Sequence, residues 1–240
     1  MADKLLVHVC SFRVSQYTNR LPRFSHWLSQ EENAHARRFV READRSRFTL
    51  GRAIVRYLCG THLRIEPTSV RLKQTSSGKP YLANPFPSNT KALDFSVAHS
   101  GDCVLVAWAD GQPVGVDVEA IDRDSDSRGK DISSSVFSQM EQDALFAATP
   151  NEFAKTFYRI WVRKEALLKA EGCGLGGSLE SFSVVRRHLQ RIEWLDEVHY
   201  PASDRSWMIV DLTPAAGHAG ALAMPRGSAV CEHMPHEIVL

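Results

Sequence analysis

A fold that mixes helices and strands is predicted for this chain, because both periodicities are read along it. Three observations carry the prediction. Residues 94–108 read as a hairpin of two apolar strands, with 114–119 as a further strand. Residues 149–171 read as one long amphipathic helix. From residue 182 onward the pattern returns to strands separated by turns. The 240 residues allow one large domain or two modest ones. An apolar share of 43% and a charged share of 24% are ordinary for a soluble globule. The formal net charge of +1 gives no global field for nucleic acid or an anionic membrane. Cys10, Cys59, Cys103, Cys173 and Cys231 are odd in number and lack CxxC spacing, which speaks against a disulfide framework and for a reducing cytoplasm. Leu5-Leu6-Val7 is interrupted by His8, unlike a signal peptide, and no apolar run nears the ~18 residues of a membrane span. A cytoplasmic protein is expected.

Residues 5–9 read as the first strand. The stretch 29–60 reads as one long helix, or as two broken near 44–46, opened by a Ser29/Glu32 capping box. Ala36, Phe39, Val40 and Ala43 keep helical spacing, as do Leu50, Ile54, Tyr57 and Leu58. Arginines 37, 38, 41, 45, 47, 52 and 56 crowd the other faces, opposed by Glu42 and Asp44. A solvated basic face accounts for most of them. The excess of guanidinium nevertheless suits a phosphate-rich ligand at one or two positions, since arginine binds phosphate bidentately. Residues 76–80, SSGKP, form a turn without the spacing of a phosphate-binding P-loop, and 85–89 continue it.

In the hairpin, Phe95 and Val97 lie on one face and Ser96 and Ala98 on the other. Ser100-Gly101-Asp102 make the turn. His99 stands at the strand end, where a structural and a functional role are both open. In 114–119 the valines 114, 116 and 118 share a face, and Asp117 and Glu119 the opposite one. Carboxylates two apart on a strand sit roughly 6.5–7 Å apart along the backbone. On a solvent face the pair would have no role. Otherwise the two can converge on one cation, and a third oxygen ligand from another element would make a Mg²⁺ site, since Mg²⁺ takes one or two carboxylates plus water and substrate phosphates. Residues 121–135 read as a polar loop or lid. Asp122, Asp124 and Asp126 imitate a calcium loop there, but Ser127 and Ser133 occupy its glycine and glutamate places, so calcium is rejected. Ser138 to Glu141 cap a short helix to about Ala148.

The long helix that follows is specified at both ends. Thr149, Pro150 and Glu152 open it, and Gly172 with Gly174, Gly176 and Gly177 close it. Phe153, Phe157, Ile160, Leu167 and Leu168 form its core stripe. Trp161, Glu165 and Lys169 form a neighbouring stripe that drifts ~40° per step. On this helix alone, Glu165 and Lys169 need be no more than an i,i+4 ion pair of ~0.3–0.5 kcal/mol. Strands are expected at 182–185, 191–195, 207–212 and 219–224, with turns at 204–206 and 214–217. His233 and His236 lack a third ligand and read as tail.

Together, GKP at 78–80, FSVAHSG at 95–101, GVDVE at 115–119 and the W-x-x-K-E-A-x-x-K-x-x-G run at 161–172 resemble the signature blocks of the 4′-phosphopantetheinyl transferases. The type resembled is the larger, surfactin-synthetase-activating one. The last two blocks are the specific ones, and the resemblance extends over most of the chain. It implies a pseudo-dimer of two similar α+β subdomains, 1–112 and 113–240, with the active site in the cleft between them. It further implies transfer of the 4′-phosphopantetheine arm of coenzyme A to a serine of an apo acyl- or peptidyl-carrier protein, releasing 3′,5′-adenosine bisphosphate. By the same resemblance, Asp117, Glu119 and Glu165 are ligands of Mg²⁺, with Mn²⁺ as a substitute. Glu165, Lys169 and His99 would be catalytic, Glu165 as base directly or through a water. Arg38, Arg47, Arg52, Ser77, Gly78, Lys79, Pro80, Ala98, His99 and Lys169 would hold coenzyme A. Glu32 and His35 stand where some members carry lysines beside the 3′-phosphate.

The resemblance also implies a monomer serving fatty-acid, polyketide or peptide synthesis, without nucleic acid or membrane. From charge, Arg159, Arg163 and Lys164 are expected on the exposed side of the long helix, facing an acidic carrier. Two rivals are a carrier-binding module without activity and a Mg²⁺-dependent phosphotransferase acting on nucleotides. The first should lack an acid or the lysine, and the second should show its own acceptor-activating site.

Overall fold

The alternation read at both ends of the first half builds one sheet. The structure, a computed structural model, describes residues 5–85, 91–122, 126–174, 178–189 and 191–233, with the side chains of 126–130 outside that description. In chain order, β1 (Leu6–Arg13) leads into α1 (Leu21–Ser25), α2 (Gln30–Ala36) and α3 (Glu42–Leu63). Next come β2 (Leu72–Gln74), β3 (Pro80–Leu82), β4 (Leu93–Ser100), β5 (Cys103–Asp110) and β6 (Gly115–Ala120). Helices α4 (Asp126–Val136), α5 (Gln139–Phe146) and α6 (Pro150–Glu171) follow, then β7 (Val185–His188), β8 (Arg191–Trp194), β9 (Glu197–Tyr200), β10 (Arg205–Leu212), β11 (His218–Pro225) and β12 (Ala229–His233).

Two four-stranded sheets result, ordered β12-β1-β5-β4 and β6-β11-β10-β9, each carrying a 22-residue helix, α3 on the first and α6 on the second. The fold is α+β with two sheet-plus-helix halves. The last strand, β12, pairs in parallel with β1, so residues 229–233 return to the sheet of the first half. Strand β5 reads as continuously apolar because both of its faces are buried. Val104 and Val106 pack with Leu50 and Ile54 of α3, whereas Leu105 and Ala107 meet Val116, Val118 and Leu222 of the second sheet. On the other side of that sheet, Phe153, Phe157, Ile160, Leu167 and Leu168 of α6 are all buried against Trp207, Ile209 and Ala221, as the stripe predicted.

Several expectations need correcting. The helix break falls at 37–41, not 44–46: α2 ends at Ala36, α3 starts at Glu42, and Val40 is 98% exposed. Arg56 is not on a solvated face. It is buried, and donates to Glu32 Oε2 at 2.7 Å and to the carbonyls of Pro67 and Val70. The capping boxes at Ser29/Glu32 and Ser138/Glu141 are both closed. Thr149 makes no side-chain cap; its hydroxyl donates to Glu152 instead, at 2.7 Å. Gly172 ends α6 with φ +76°, a left-handed value that suits glycine. The supposed lid contains α4, and its residues 123–125 lie outside the described residues. So do 86–89, Gly176, Gly177 and His236. The strand expected at 182–185 starts at Val185, and the turn expected at 204–206 ends at Asp204. His233 is strand, not tail.

The charges expected on an exposed face of α6 are instead largely internal. Arg163 is 1% exposed, ion-paired with Asp211 at 3.0 Å and donating to the carbonyls of Leu195 and Ile209. Lys164 is fully buried, with Nζ 2.6 Å from both Glu141 Oε2 and the carbonyl of Phe182. Burial lowers the pKa of Lys164, and the Glu141 carboxylate opposes that shift. Arg159, partly exposed, lies over the Trp194 ring at 3.8 Å and donates to Asp211. These side chains hold α6 to its surroundings and do not form a basic docking face. None of the five cysteines is in a disulfide. Among the described residues no helix is long and apolar enough to cross a membrane.

Candidate active site

The two sheets meet along β4 and β6, and side chains stitch that seam. Val114 N–H donates to Asp94 Oδ2 at 2.8 Å, Val116 N–H to Ser96 Oγ at 3.0 Å and Ala120 N–H to Ser100 Oγ at 3.0 Å. Alternate residues of β4 thus satisfy the edge of β6, as the period-2 geometry of strands permits. Lys79 adds a clasp, its Nζ 2.8 Å from Asp94 Oδ2 and 3.2 Å from the Val114 carbonyl.

Gly115 decides how close α6 comes to β6. A Cβ there would lie 2.0 Å from the carbonyl oxygen of Ala166 and 2.4 Å from the amide nitrogen of Ala170. Only a glycine lets the helix backbone rest on the strand. Residues 115, 117 and 119 share one face of β6, so the contact at Gly115 brings Glu165 and Lys169 to Asp117 and Glu119. The sequence reading quoted Gly115 within GVDVE but did not assign it this part, although a glycine inside a strand is a recognised sign of close backbone approach.

Beside this junction a cavity of about 510 Å³ opens between the halves. Its wall includes Arg52, Ser77, Gly78, Lys79, Pro80, Ala98, His99, Asp117, Glu119, Glu165 and Lys169, all expected site residues. Phe48, Gly51, Trp161 and Gly174 join them without having been expected there. The loop at 75–79 is held to the end of α6, because Ser77 Oγ donates to the Gly172 carbonyl at 2.5 Å. Two expected residues are not in the wall. Arg47 donates to the Gly101 carbonyl at 2.7 Å and pairs with Asp44, and Arg38 is exposed beyond the end of α2.

The electrostatics of the wall are those of crowded acids. Asp117 is 4% exposed and accepts from Lys169 Nζ at 2.7 Å, while its Oδ2 has no partner. Burial raises its pKa, and Lys169 opposes the rise. Glu165 is 8% exposed with Oε1 unpartnered, and burial followed by the charge of Asp117 raises its pKa. Glu119 accepts from Ser100 Oγ at 2.7 Å and is also raised by burial. The three acids are not drawn into one knot: their oxygens do not all come within 4.8 Å of one another. Mutual repulsion, with Lys169 on one acid and Ser100 on another, accounts for the spacing. His99 lines the cavity and keeps an exposed surface, with protein packed around the rest of it. That burial lowers its pKa, and Arg47 and Lys169 add to the effect.

Orphaned carboxylate oxygens in a low-dielectric wall are costly unless a cation or hydrogen-bond donor meets them. An all-oxygen set of this kind fits a hard divalent ion that keeps several waters, and so does not need its carboxylates in contact. Cations on the same wall suit phosphate groups. The arrangement is chemically suited to a polyphosphate ester and a divalent cation.

Comparison with known proteins gives the family. Residues 113–223 match the 4′-phosphopantetheinyl transferase superfamily, and residues 17–110 match the N-terminal region of a 4′-phosphopantetheinyl transferase. The 4′-phosphopantetheinyl transferase HetI of a Nostoc species is 31% identical over 91% of this chain and 87% of its own length. The 4′-phosphopantetheinyl transferase Sfp of Bacillus subtilis is 32% identical over 68% of each chain. A phosphopantetheinyl transferase from a Thraustochytrium species is 31% identical over 70% of this chain, which spans 61% of that protein. The chain belongs to the 4′-phosphopantetheinyl transferase family, in its larger form.

Proposed function

We propose that this protein transfers the phosphopantetheine arm of coenzyme A to a serine of an apo acyl- or peptidyl-carrier protein, with Mg²⁺ or Mn²⁺ as cofactor. The observation that carries the reading is the pair of unpartnered buried oxygens, Asp117 Oδ2 and Glu165 Oε1, in a cavity whose wall also holds Lys79, His99 and Lys169. Family membership supports it. We assign the first unit to about 1–112 and the second to about 113–240, with the active site where they meet.

In this account Gly78, Lys79 and Pro80 shape the side of the cavity that receives the adenosine bisphosphate, with Ser77 and Ala98 next to them. Arg52 is the arginine best placed for a phosphate, since it lines the cavity. Arg47 and Arg38 would reach the 3′-phosphate only from outside the wall. Asp117, Glu119 and Glu165 would hold the divalent cation, which when bound neutralises charge on the pyrophosphate oxygens. The carrier serine oxygen attacks the β-phosphorus, and the bond from that phosphorus to the bridging oxygen breaks. The leaving group is 3′,5′-adenosine bisphosphate, and the serine proton passes to Glu165, directly or through a water. A carboxyl raised by burial is a better base near neutral pH than an ordinary one. Lys169 spends one donor on Asp117 and has two more for the phosphoryl oxygens. Positioning and charge stabilisation suffice, as in phosphoryl transfer generally.

The test is to incubate the protein with an apo carrier, coenzyme A and Mg²⁺, and to weigh the carrier by mass spectrometry. A gain of one phosphopantetheine arm is expected. An unchanged mass with the carrier bound would make the protein a binding module, and an unchanged mass without binding would point to another phosphotransferase.

His99 gives a second expectation. Held neutral in the free protein, it should take up a proton when an anionic phosphate arrives beside it. Calorimetry of coenzyme A binding at pH 7 in buffers of different ionisation enthalpy should show net proton uptake, lost in His99→Gln. Equal heats in all buffers would remove His99 from the phosphate site.

A further inference from the structure

The return of β12 to the first sheet assembles a second cluster of ligating side chains, away from the acids. In the parallel pairing of β1 with β12, His8 stands opposite Cys231 and Cys10 opposite His233. Residues 231 and 233 share a face of their strand, and His8 lies on the same side. His8 Nδ1 is 2.7 Å from His233 Nε2, and one ligand atom from each of His8, Cys231 and His233 lies within 4.8 Å of the others. Among the described residues no other three His, Cys, Asp or Glu side chains meet that condition.

The two imidazoles are also held in place from one side. Trp108, opposite His8 on β5, stacks on the His8 ring at 5.2 Å and 13° and on the His233 ring at 5.3 Å and 23°. All three ligating residues are half-buried, and the Cys231 thiol is free. The cluster sits at the β12 edge of a sheet whose opposite edge, β4, carries the active site. Two to three strand spacings separate them, on the order of 10–14 Å.

Two histidines and one cysteine form a borderline-soft donor set, the kind that binds Zn²⁺ and its congeners and not Mg²⁺. Three protein ligands leave a fourth tetrahedral position for water. We propose that His8, Cys231 and His233 bind a thiophilic divalent cation of the Zn²⁺ class, which fastens β12 to β1 and so ties the end of the second half to the first sheet. A cation there binds the folded chain alone, because only pairing of β1 with β12 brings the ligands together, and it therefore stabilises the fold. The competing account is a plain N–H···N hydrogen bond between the two rings.

The experiment uses the full chain, stripped with chelator and titrated with Co²⁺ in the presence of millimolar Mg²⁺. Expected is a thiolate-to-Co²⁺ charge-transfer band that saturates at one ion per chain and is displaced by Zn²⁺. Cys231→Ser, a near-isosteric change, should abolish the band, and His8→Ala or His233→Ala should weaken Co²⁺ binding at least ~10-fold. Carrier modification, measured alongside as proof of folding, should stay within about twofold of wild type in all three, since none lines the cavity. No charge-transfer band, a band that survives Cys231→Ser, or Co²⁺ affinity indifferent to both histidine substitutions would each overturn the proposal.

Discussion

Glu165→Gln is expected to raise the melting temperature of the metal-free protein while lowering carrier modification by ~10²–10⁴-fold, the range typical for loss of a general base. The two effects share a cause. Glu165 is nearly buried, one of its oxygens has no partner, and Asp117 lies close enough to raise its pKa. A neutral amide of the same shape removes the repulsion but can neither take the serine proton nor hold a cation by charge. A gain of about 1 kcal/mol would appear as roughly 2–4 °C in a chain of this size. The pH dependence has a definite sign. Burial raises the folded-state pKa of Asp117, Glu119 and Glu165 above the unfolded values near ~4. Between those limits the folded state binds more protons than the unfolded one, so these groups make stability fall as pH rises through that window. Melting curves in chelator from pH 5 to 8 should show that decline, with a shallower slope for Glu165→Gln. A variant that melts lower than wild type and keeps the slope would mean that Glu165 is not under charge strain.

Gly115→Val should cost both stability and activity without touching a charged group. Its Cβ would sit 2.0 Å from a backbone oxygen of α6, and neither strand nor helix backbone can yield as a side-chain end could. Overpacking of this kind costs ~1–3 kcal/mol and sometimes more, hence a melting temperature lower by roughly 2–12 °C. If the helix moves away by about 1 Å, Glu165 and Lys169 move with it, and a misplacement on that scale can cost ~10² in rate. Gly115→Ala should show the same pair of effects, less strongly. A fully active Gly115→Val of unchanged stability would show that α6 does not rest on β6 as described.

Much of this arrangement is legible in the chain. The core stripe of α6, the alternating valines of β6 and the two serine–glutamate capping boxes are local patterns, and local rules recover them. Residues 77–80, 98–99, 117, 119, 165 and 169, singled out by the family resemblance and not by local rules, lie together in the wall of one cavity. What local rules miss depends on tertiary partners. Lys164 follows Arg163 in a run that looks solvent-facing, but Glu141 of a capping box reaches it from α5 and turns it into a buried ion pair. Arg56 looks like one more charge on a basic helix until Glu32 and two carbonyls meet it. His233 looks like tail because the third ligand of its cluster lies at the other end of the chain, on β1. Ser96 reads only as one face of a strand and Ser100 as part of a turn, although Asp94, Ser96 and Ser100 all bond to the edge of another sheet.

The central claim is that Asp117, Glu119 and Glu165 act on one divalent cation beside the coenzyme A phosphates. Electron paramagnetic resonance of Mn²⁺ titrated into the protein, with and without coenzyme A, tests it most directly. One tightly bound Mn²⁺ per chain is predicted when coenzyme A is present, with binding weakened at least tenfold in Asp117→Asn and in Glu165→Gln. Mn²⁺ bound equally well by wild type and both variants would contradict the account.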